Sequence, residues 1–137
     1  VLALMAVLGL KLLAVMSLPA AWMPWALALA PVAGRTGMLI NLAILPCART
    51  EGLGALARRY PASVPTLSAL LILGVGAYRF CGERGLAAAA FGAVVALLWS
   101  LFVYRRLGGG TGDTYGAANE LTEAALVVGF TMNAIAA

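Results

Sequence analysis

Long apolar segments separated by short polar breaks dominate this sequence. Of the 137 residues, 64% are hydrophobic and only 10% are charged, whereas a soluble domain carries about 25% charged residues. A helix needs roughly 17–25 mainly apolar residues to cross the hydrocarbon core of a bilayer. The apolar segments are residues 1–18, 20–46, 64–80, 86–103 and about 115–136. The sequence therefore predicts an all-α fold: one polytopic transmembrane bundle over residues 1–137, with about five spans.

The second apolar segment carries the most helix-breaking residues. Pro24 and Pro31 lie within it, and the run Gly34-Arg35-Thr36-Gly37 interrupts it. A proline inside a helix removes a backbone hydrogen bond and kinks the chain. Two interpretations stay open: one tilted and kinked helix, or a short interfacial helix that leads into a proper span.

The loop charges predict an orientation in the membrane. The chain has nine Lys/Arg against five Asp/Glu, and in membrane proteins such an excess concentrates in cytoplasmic loops, so it does not argue for nucleic-acid binding. Basic residues gather in the 47–62 loop and the 104–113 loop, which two crossings separate. We therefore expect both loops on the cytoplasmic side of the membrane, and the 81–85 connection on the other side.

The residue types that are scarce exclude several chemistries. The chain has no histidine, which removes the commonest general base and metal ligand. Cys47 and Cys81 lack CxxC spacing, so neither a zinc site nor a redox pair is indicated. The chain opens on Val1 inside an apolar run, with Lys11 in its middle, which is not the pattern of a signal peptide. We expect the C-terminal portion of a longer protein.

One glycine-rich stretch, residues 107–120, is the most polar connection in the chain. It holds five glycines together with Asp113 and Glu120. A glycine turn before a helix can hold phosphate through free N–H groups, with Thr111 or Asp113 as the helix cap. Asp113 can also hold a hard cation such as Mg²⁺. The alternative is a flexible loop with an ordinary N-cap, and the residues alone do not decide between the two.

Polar residues continue into the last apolar segment on one helical face. Asp113, Gly116, Glu120 and Glu123 follow one another at intervals of three, four and three residues, with Asn119 beside them. Carboxylates at membrane depth should face protein or water rather than lipid. They can bind magnesium or form ion pairs, and both options stay open.

Two cations at membrane depth are the natural partners for those carboxylates. Lys11 lies about 10 Å from the end of its helix, and Arg35 stands between a glycine and a threonine beside the expected kink. A second glycine-bearing loop contributes Arg49, suited to a phosphate fork, and Glu51, suited to a counter-charge. Together these groups suit an anionic, phosphorylated substrate with a divalent cation.

Two motifs resemble one known family. Arg49-Thr50-Glu51-Gly52-Leu53-Gly54 and the later run Gly108-Gly109-Gly110-Thr111-Gly112-Asp113, continued to Glu120-Leu121, stand in the order and spacing of cobalamin synthase. The chain resembles this adenosylcobinamide-GDP ribazoletransferase family, CobS, over essentially its whole length. The resemblance implies an integral membrane transferase of cobalamin biosynthesis. Its substrates would be adenosylcobinamide-GDP and α-ribazole or its 5′-phosphate, GMP would be released, Mg²⁺ would be the cofactor, and a homo-oligomer is compatible with it.

Site residues carried over from the resemblance are expectations of role. Asp113 and Glu120 are expected near the metal or the attacking hydroxyl, as catalytic residues. The residues expected to bind substrate or phosphate are Lys11, Arg35, Arg49, Glu51, Thr111 and Gly112.

The chain also departs from the family pattern. The family's aspartate-rich metal motif precedes the matching segment and has no counterpart in these 137 residues, which contain one aspartate, Asp113. We therefore expect the main metal ligands upstream of this chain, Asp113 as a lesser one, and no activity from these 137 residues alone. The alternative function is a multi-pass permease or a membrane scaffold subunit whose carboxylates form buried ion pairs.

Overall fold

The computed structural model describes residues 2–47 and 61–135, and all of the regular structure in these ranges is helical. The helices are α1 (Leu2–Met16), α2 (Met23–Ile44), α3 (Ser63–Leu107) and α4 (Gly112–Ile135). The all-α prediction is confirmed. Two of these helices, α2 and α3, are long and apolar enough to cross a membrane. The 15-residue α1 is apolar but shorter, and α4 carries three carboxylates.

Of the two interpretations left open for the second apolar segment, the single helix is observed: α2 is unbroken from Met23 to Ile44. Pro24 lies in its first turn, where the missing N–H costs nothing. The run from Gly34 to Gly37 stays helical. These two glycines serve packing instead, because a methyl group on Gly37 would collide with the Thr122 side chain of α4. The glycines that looked like helix breakers let two helices approach closely.

Helix α3 folds back on itself at Gly82. This glycine has φ 63° and ψ −149°, a backbone conformation open to glycine. A methyl group on Gly74 would lie 3.9 Å from Cδ1 of Leu86, although residues twelve apart in a straight helix are about 18 Å apart. The two halves, residues 63–81 and 83–107, are therefore antiparallel, and the predicted 81–85 connection is a tight turn.

Contacts between helices show the direction in which each one runs relative to its neighbours. Helix α2 runs antiparallel to the first half of α3, because Trp25 stacks on Phe80 at 4.2 Å and the Thr66 hydroxyl donates to the Leu39 carbonyl. The second half of α3 runs antiparallel to α4: the Trp99 Nε1–H donates to the Thr114 carbonyl.

Helix α1 lies beside α4 and runs in the same direction. Leu4 lines a pocket together with Gly116, and Lys11, further along α1, bonds to Glu123, further along α4. The five consecutive segments therefore alternate in direction.

Two apolar clusters fill the bundle. The larger lies toward the Gly82 turn, where Leu126, Val127 and Phe130 of α4 pack with residues from α1, α2 and α3. The smaller lies at the other end and contains Leu42, Leu45, Val103 and Tyr115. We call this second end the glycine-loop end, because residues 108–110 lie there.

The chain after α2 and the chain before α4 meet at the glycine-loop end. The Gly110 N–H donates to the Pro46 carbonyl at 2.7 Å, and Cys47 and Gly110 form a short parallel bridge. The described ends of the 47–62 and 104–113 loops therefore lie together at one end of the bundle, away from the Gly82 turn.

Candidate functional site

A three-residue charge cluster joins α1 to α4. Lys11 Nζ lies 2.6 Å from Glu120 Oε2 and 2.7 Å from Glu123 Oε2. The Lys11 side chain is only 17% exposed, and the two carboxylate side chains are 34% and 19% exposed. Of the two options left open by the sequence, ion pairing is what the structure shows for these groups. One cation shared by two carboxylates leaves the cluster with a formal charge of −1.

The cluster extends to the α2 side of α4. The Asn119 amide donates to Glu123 Oε1 at 2.9 Å and makes a longer contact of 3.4 Å with Glu120 Oε1. Gly34 of α2 lies against the same groups, since a methyl group there would sit 2.6 Å from Cγ of Glu123. The position of the Glu123 carboxylate is therefore fixed by α1, α2 and its own helix.

Asp113 lies apart from this cluster although it shares its helical face. It is exposed in the first turn of α4 and makes no hydrogen bond or ion pair with any residue in the described ranges. Seven residues separate it from Glu120, which is about 10 Å along the helix axis. The carboxylate is free to meet a ligand, and it lies at the positive end of the helix dipole.

Thr111, rather than Asp113, caps α4. The Thr111 Oγ1 accepts a 3.4 Å hydrogen bond from the Thr114 N–H, and the Thr114 Oγ1 accepts one of 2.8 Å from the Thr111 N–H. This reciprocal pair has the form of a capping box, with threonine in the place of the usual glutamate. Gly112 begins the helix, and a methyl group on it would meet nothing within 4 Å.

Two of the three glycines in the 108–110 turn are required by the fold itself. Gly108 ends α3 in the left-handed conformation, with φ 70°, and donates its N–H to the Tyr104 carbonyl. A methyl group on Gly110 would collide with the Tyr115 ring. The turn is thus tightly packed, and the structure favours neither a flexible loop nor an open phosphate cradle at Gly110.

Arg35 is exposed in the middle of α2 and stands away from the carboxylates. Within the described ranges it forms no ion pair, so the expected pairing with Glu120 or Glu123 is not observed. The neighbouring exposed positions on its face are apolar, among them Leu27, Ala28 and Pro31. A guanidinium in such surroundings is available to an anion. Arg49 and Glu51 lie outside the described residues.

The described residues do not assemble a magnesium site by themselves. No group of three His, Cys, Asp or Glu side chains within residues 2–47 and 61–135 lies close enough to share a metal ion. Asp113 offers one carboxylate, whereas Mg²⁺ takes near-octahedral oxygen coordination.

Two structural residues escaped the sequence reasoning. Asn41 is fully buried and donates to the carbonyls of Gly37 and, at 3.4 Å, Ala96, so it ties α2 to α3. Trp99 holds the first turn of α4 through the Thr114 carbonyl. An amide inside an apolar segment was a visible signal for Asn41, since a buried polar group needs partners. Nothing local marked Trp99.

Comparisons with known proteins identify the family of this chain. Residues 1–131 match the family model described as cobalamin-5-phosphate synthase. An adenosylcobinamide-GDP ribazoletransferase of Stutzerimonas stutzeri (strain A1501) is 40% identical over 133 residues, which is 96% of this chain and 54% of the relative. The protein of the same name from Roseiflexus sp. (strain RS-1) is 39% identical over 140 residues, 97% of this chain and 49% of the relative.

The chain spans about half the length of the curated relatives it matches. No solved structure matches it. The family match nevertheless covers nearly all of the chain, including both ends of the bundle and the whole of the glycine-rich stretch. The chain therefore belongs to the cobalamin-5-phosphate synthase family, CobS, as its two glycine-bearing motifs predicted.

Proposed function

We propose that the protein to which this chain belongs is an adenosylcobinamide-GDP ribazoletransferase, which completes the nucleotide loop of cobalamin. The observation that carries the proposal is the family match over residues 1–131, together with the name shared by the relatives. A ribazole hydroxyl attacks the phosphorus that links cobinamide to GMP. The new P–O bond joins cobinamide phosphate to ribazole, the bond to GMP breaks, and the hydroxyl loses its proton.

Asp113 is the group we place at the attacking hydroxyl. It is exposed and unpaired within the described part of the chain, so it can accept a hydrogen bond or a proton from the incoming nucleoside. Glu120 remains partly exposed, and we place it beside the same substrate. Thr111 caps α4 and Gly112 begins it, and we place both beside the substrate next to Asp113.

The cations divide into two groups. Arg35 is exposed and free of carboxylates within the described ranges, which supports a role in holding phosphate. Lys11 is already paired with Glu120 and Glu123, so a phosphate would have to compete with these two carboxylates for its ammonium group. Arg49 and Glu51 stay candidates on their motif alone. Mg²⁺ would need oxygen ligands beyond Asp113, and when bound it would stabilise negative charge on the phosphates.

We further propose five membrane crossings, made by α1, α2, the two halves of α3, and α4. The support is the alternating direction of these segments and the meeting of the described ends of the 47–62 and 104–113 loops. Arg105 and Arg106, in the last turn of α3 at that end, favour a cytoplasmic location in a bacterial inner membrane. The soluble substrates would enter from that side.

The test is GMP release by the full-length protein in membranes, with Asp113→Asn as the variant. We expect turnover to fall by about 10²-fold or more, in the range of lost general acid–base catalysis, at unchanged expression. Glu83→Gln is the matched control, because Glu83 is an exposed carboxylate beside the Gly82 turn at the opposite end. Wild-type turnover by Asp113→Asn would refute the assignment.

A permease or scaffold subunit is the second candidate. The Lys11 cluster favours it to this extent: two of the three carboxylates on α4 form ion pairs, as a purely structural role requires. Movement of an intact ligand across vesicles without GMP formation would support this candidate and count against the transferase.

A further inference from the structure

A pocket between three helices adjoins the proposed catalytic face. It has a volume of about 440 Å³ and is lined by Leu4 and Val7 of α1, Trp99 of α3, and Gly116 and Glu120 of α4, among other residues. Small-molecule sites commonly measure roughly 300–1,000 Å³ and are mainly apolar with a few polar groups. This pocket has that composition, with the Glu120 carboxylate as its charged group.

The walls of the pocket are held in place by contacts outside it. The Trp99 indole is anchored by its hydrogen bond of 3.0 Å to the Thr114 carbonyl and by stacking on Phe102. Glu120 is anchored through Oε2 by Lys11, while Oε1 has only the 3.4 Å contact with Asn119. A rigid aromatic wall and a carboxylate with spare acceptor capacity therefore face one space.

Gly116 keeps this space open. A methyl group on Gly116 would meet nothing within 4 Å, so the fold does not need glycine there for packing. Glycine inside a helix costs about 0.5–1 kcal/mol relative to alanine. A glycine at position 116 is explained if a ligand occupies the space beside α4.

We propose that this pocket binds the benzimidazole base of the ribazole nucleoside, an inference that rests on the proposed transferase function. The flat apolar base suits Trp99 and the aliphatic side chains, and a hydroxyl of the attached ribose can donate to Glu120. Gly116 lies one turn from Asp113 on the same face of α4. A base in the pocket thus places its sugar between Glu120 and Asp113. A lipid chain would leave the Glu120 carboxylate facing hydrocarbon, which is costly.

The test is a graded series, Gly116→Ala and Gly116→Leu, in the full-length protein in membranes. We expect the KM for α-ribazole to rise with side-chain size, by about 10-fold or more for leucine, while the KM for adenosylcobinamide-GDP stays within about 2-fold. Direct binding of radiolabelled α-ribazole should weaken in parallel. Gly9→Leu is the control, since Gly9 of α1 also has open space around it but does not line the pocket.

The other outcomes separate the pocket from the transferase. An unchanged KM for α-ribazole in Gly116→Leu, with wild-type turnover, would overturn the pocket and leave the transferase standing. A loss of turnover or of folded protein without a selective effect on α-ribazole would also overturn it, because lipid or protein would then be the occupant. Wild-type protein that binds α-ribazole in a Gly116-dependent way without releasing GMP would sustain the pocket and refute the transferase.

Discussion

The inner carboxylates of α4, Glu120 and Glu123, and the outer one, Asp113, lie on one helical face but in different surroundings. Glu120 and Glu123 share the Lys11 ammonium and an amide, and Glu123 packs against the backbone of α2. Asp113, about two turns before Glu120, is exposed and makes no ion pair or hydrogen bond in the described part of the chain.

The depth of each carboxylate in the bundle explains the difference. Carboxylates deep in a bundle are stable only when paired, because an unpaired charge there is expensive. A carboxylate in the first turn of a helix keeps access to water and is stabilised by the helix dipole. Glu123 therefore holds the helices together, Glu120 does so through Oε2 while its Oε1 stays available to a ligand, and Asp113 is left for chemistry.

The largest effect on stability should come from removing the shared cation. Lys11→Met leaves two neighbouring carboxylates without a counter-charge, and we expect a loss of about 3 kcal/mol in the free energy of unfolding, the low end for breaking a buried pair. Unfolding of the purified protein in detergent measures it. Lys11→Arg is the control, and Lys11→Met combined with Glu123→Gln should recover part of the loss. A Lys11→Met protein of wild-type stability would show that the inner carboxylates do not depend on pairing, and so would contradict their contrast with Asp113.

Filling the space at Gly34 should have the next largest effect. Gly34→Ala places a methyl group 2.6 Å from Cγ of Glu123, so α2 and α4 must separate or the carboxylate must move. We expect a loss of about 2 kcal/mol, within the range for overpacked cores. The matched control is Gly9→Ala, in open space on α1, which should stabilise the protein. Equal behaviour of both variants would show that the α2–α4 approach is not close.

Removal of the helix cap should have a smaller effect. Thr111→Ala deletes the hydroxyl that accepts the Thr114 N–H, and losses of about 1 kcal/mol are typical for such caps. Ser68→Ala is the control, because its exposed hydroxyl only bonds back to the Val64 carbonyl within the same helix. A smaller shift for Thr111→Ala than for Ser68→Ala in thermal unfolding would exclude Thr111 as the cap.

The smallest effect on stability should come from Asp113. Asp113→Asn alters an exposed side chain without partners in the described ranges, so the free energy of unfolding should change by less than about 0.5 kcal/mol. Thermal unfolding in detergent, run beside Glu123→Gln, sharpens the comparison because the inner carboxylate should cost more. If Asp113→Asn were the more destabilised of the two, the outer position would be structural.

Local pattern was enough to predict the helices and much of the site. The apolar segments gave the helical class and nearly every helix boundary, and the spacing of Glu120 and Glu123 placed them on one face. The prediction that Gly34 to Gly37 breaks α2 was wrong. A glycine in a sequence is equally consistent with a helix break and with close packing of two helices. The contact of Gly34 with Glu123 of α4 shows that close packing applies here.

By itself the sequence determined the helical class, the family and the residues able to carry chemistry, because hydropathy, spacing and motif are local properties of the chain. The partner of each charge was decided only by the tertiary structure. Lys11 and Glu120 are separated by 109 positions along the chain, and Arg35, exposed on α2, forms no ion pair with either carboxylate. An ion pair depends on distances in space, and those arise only when the helices pack.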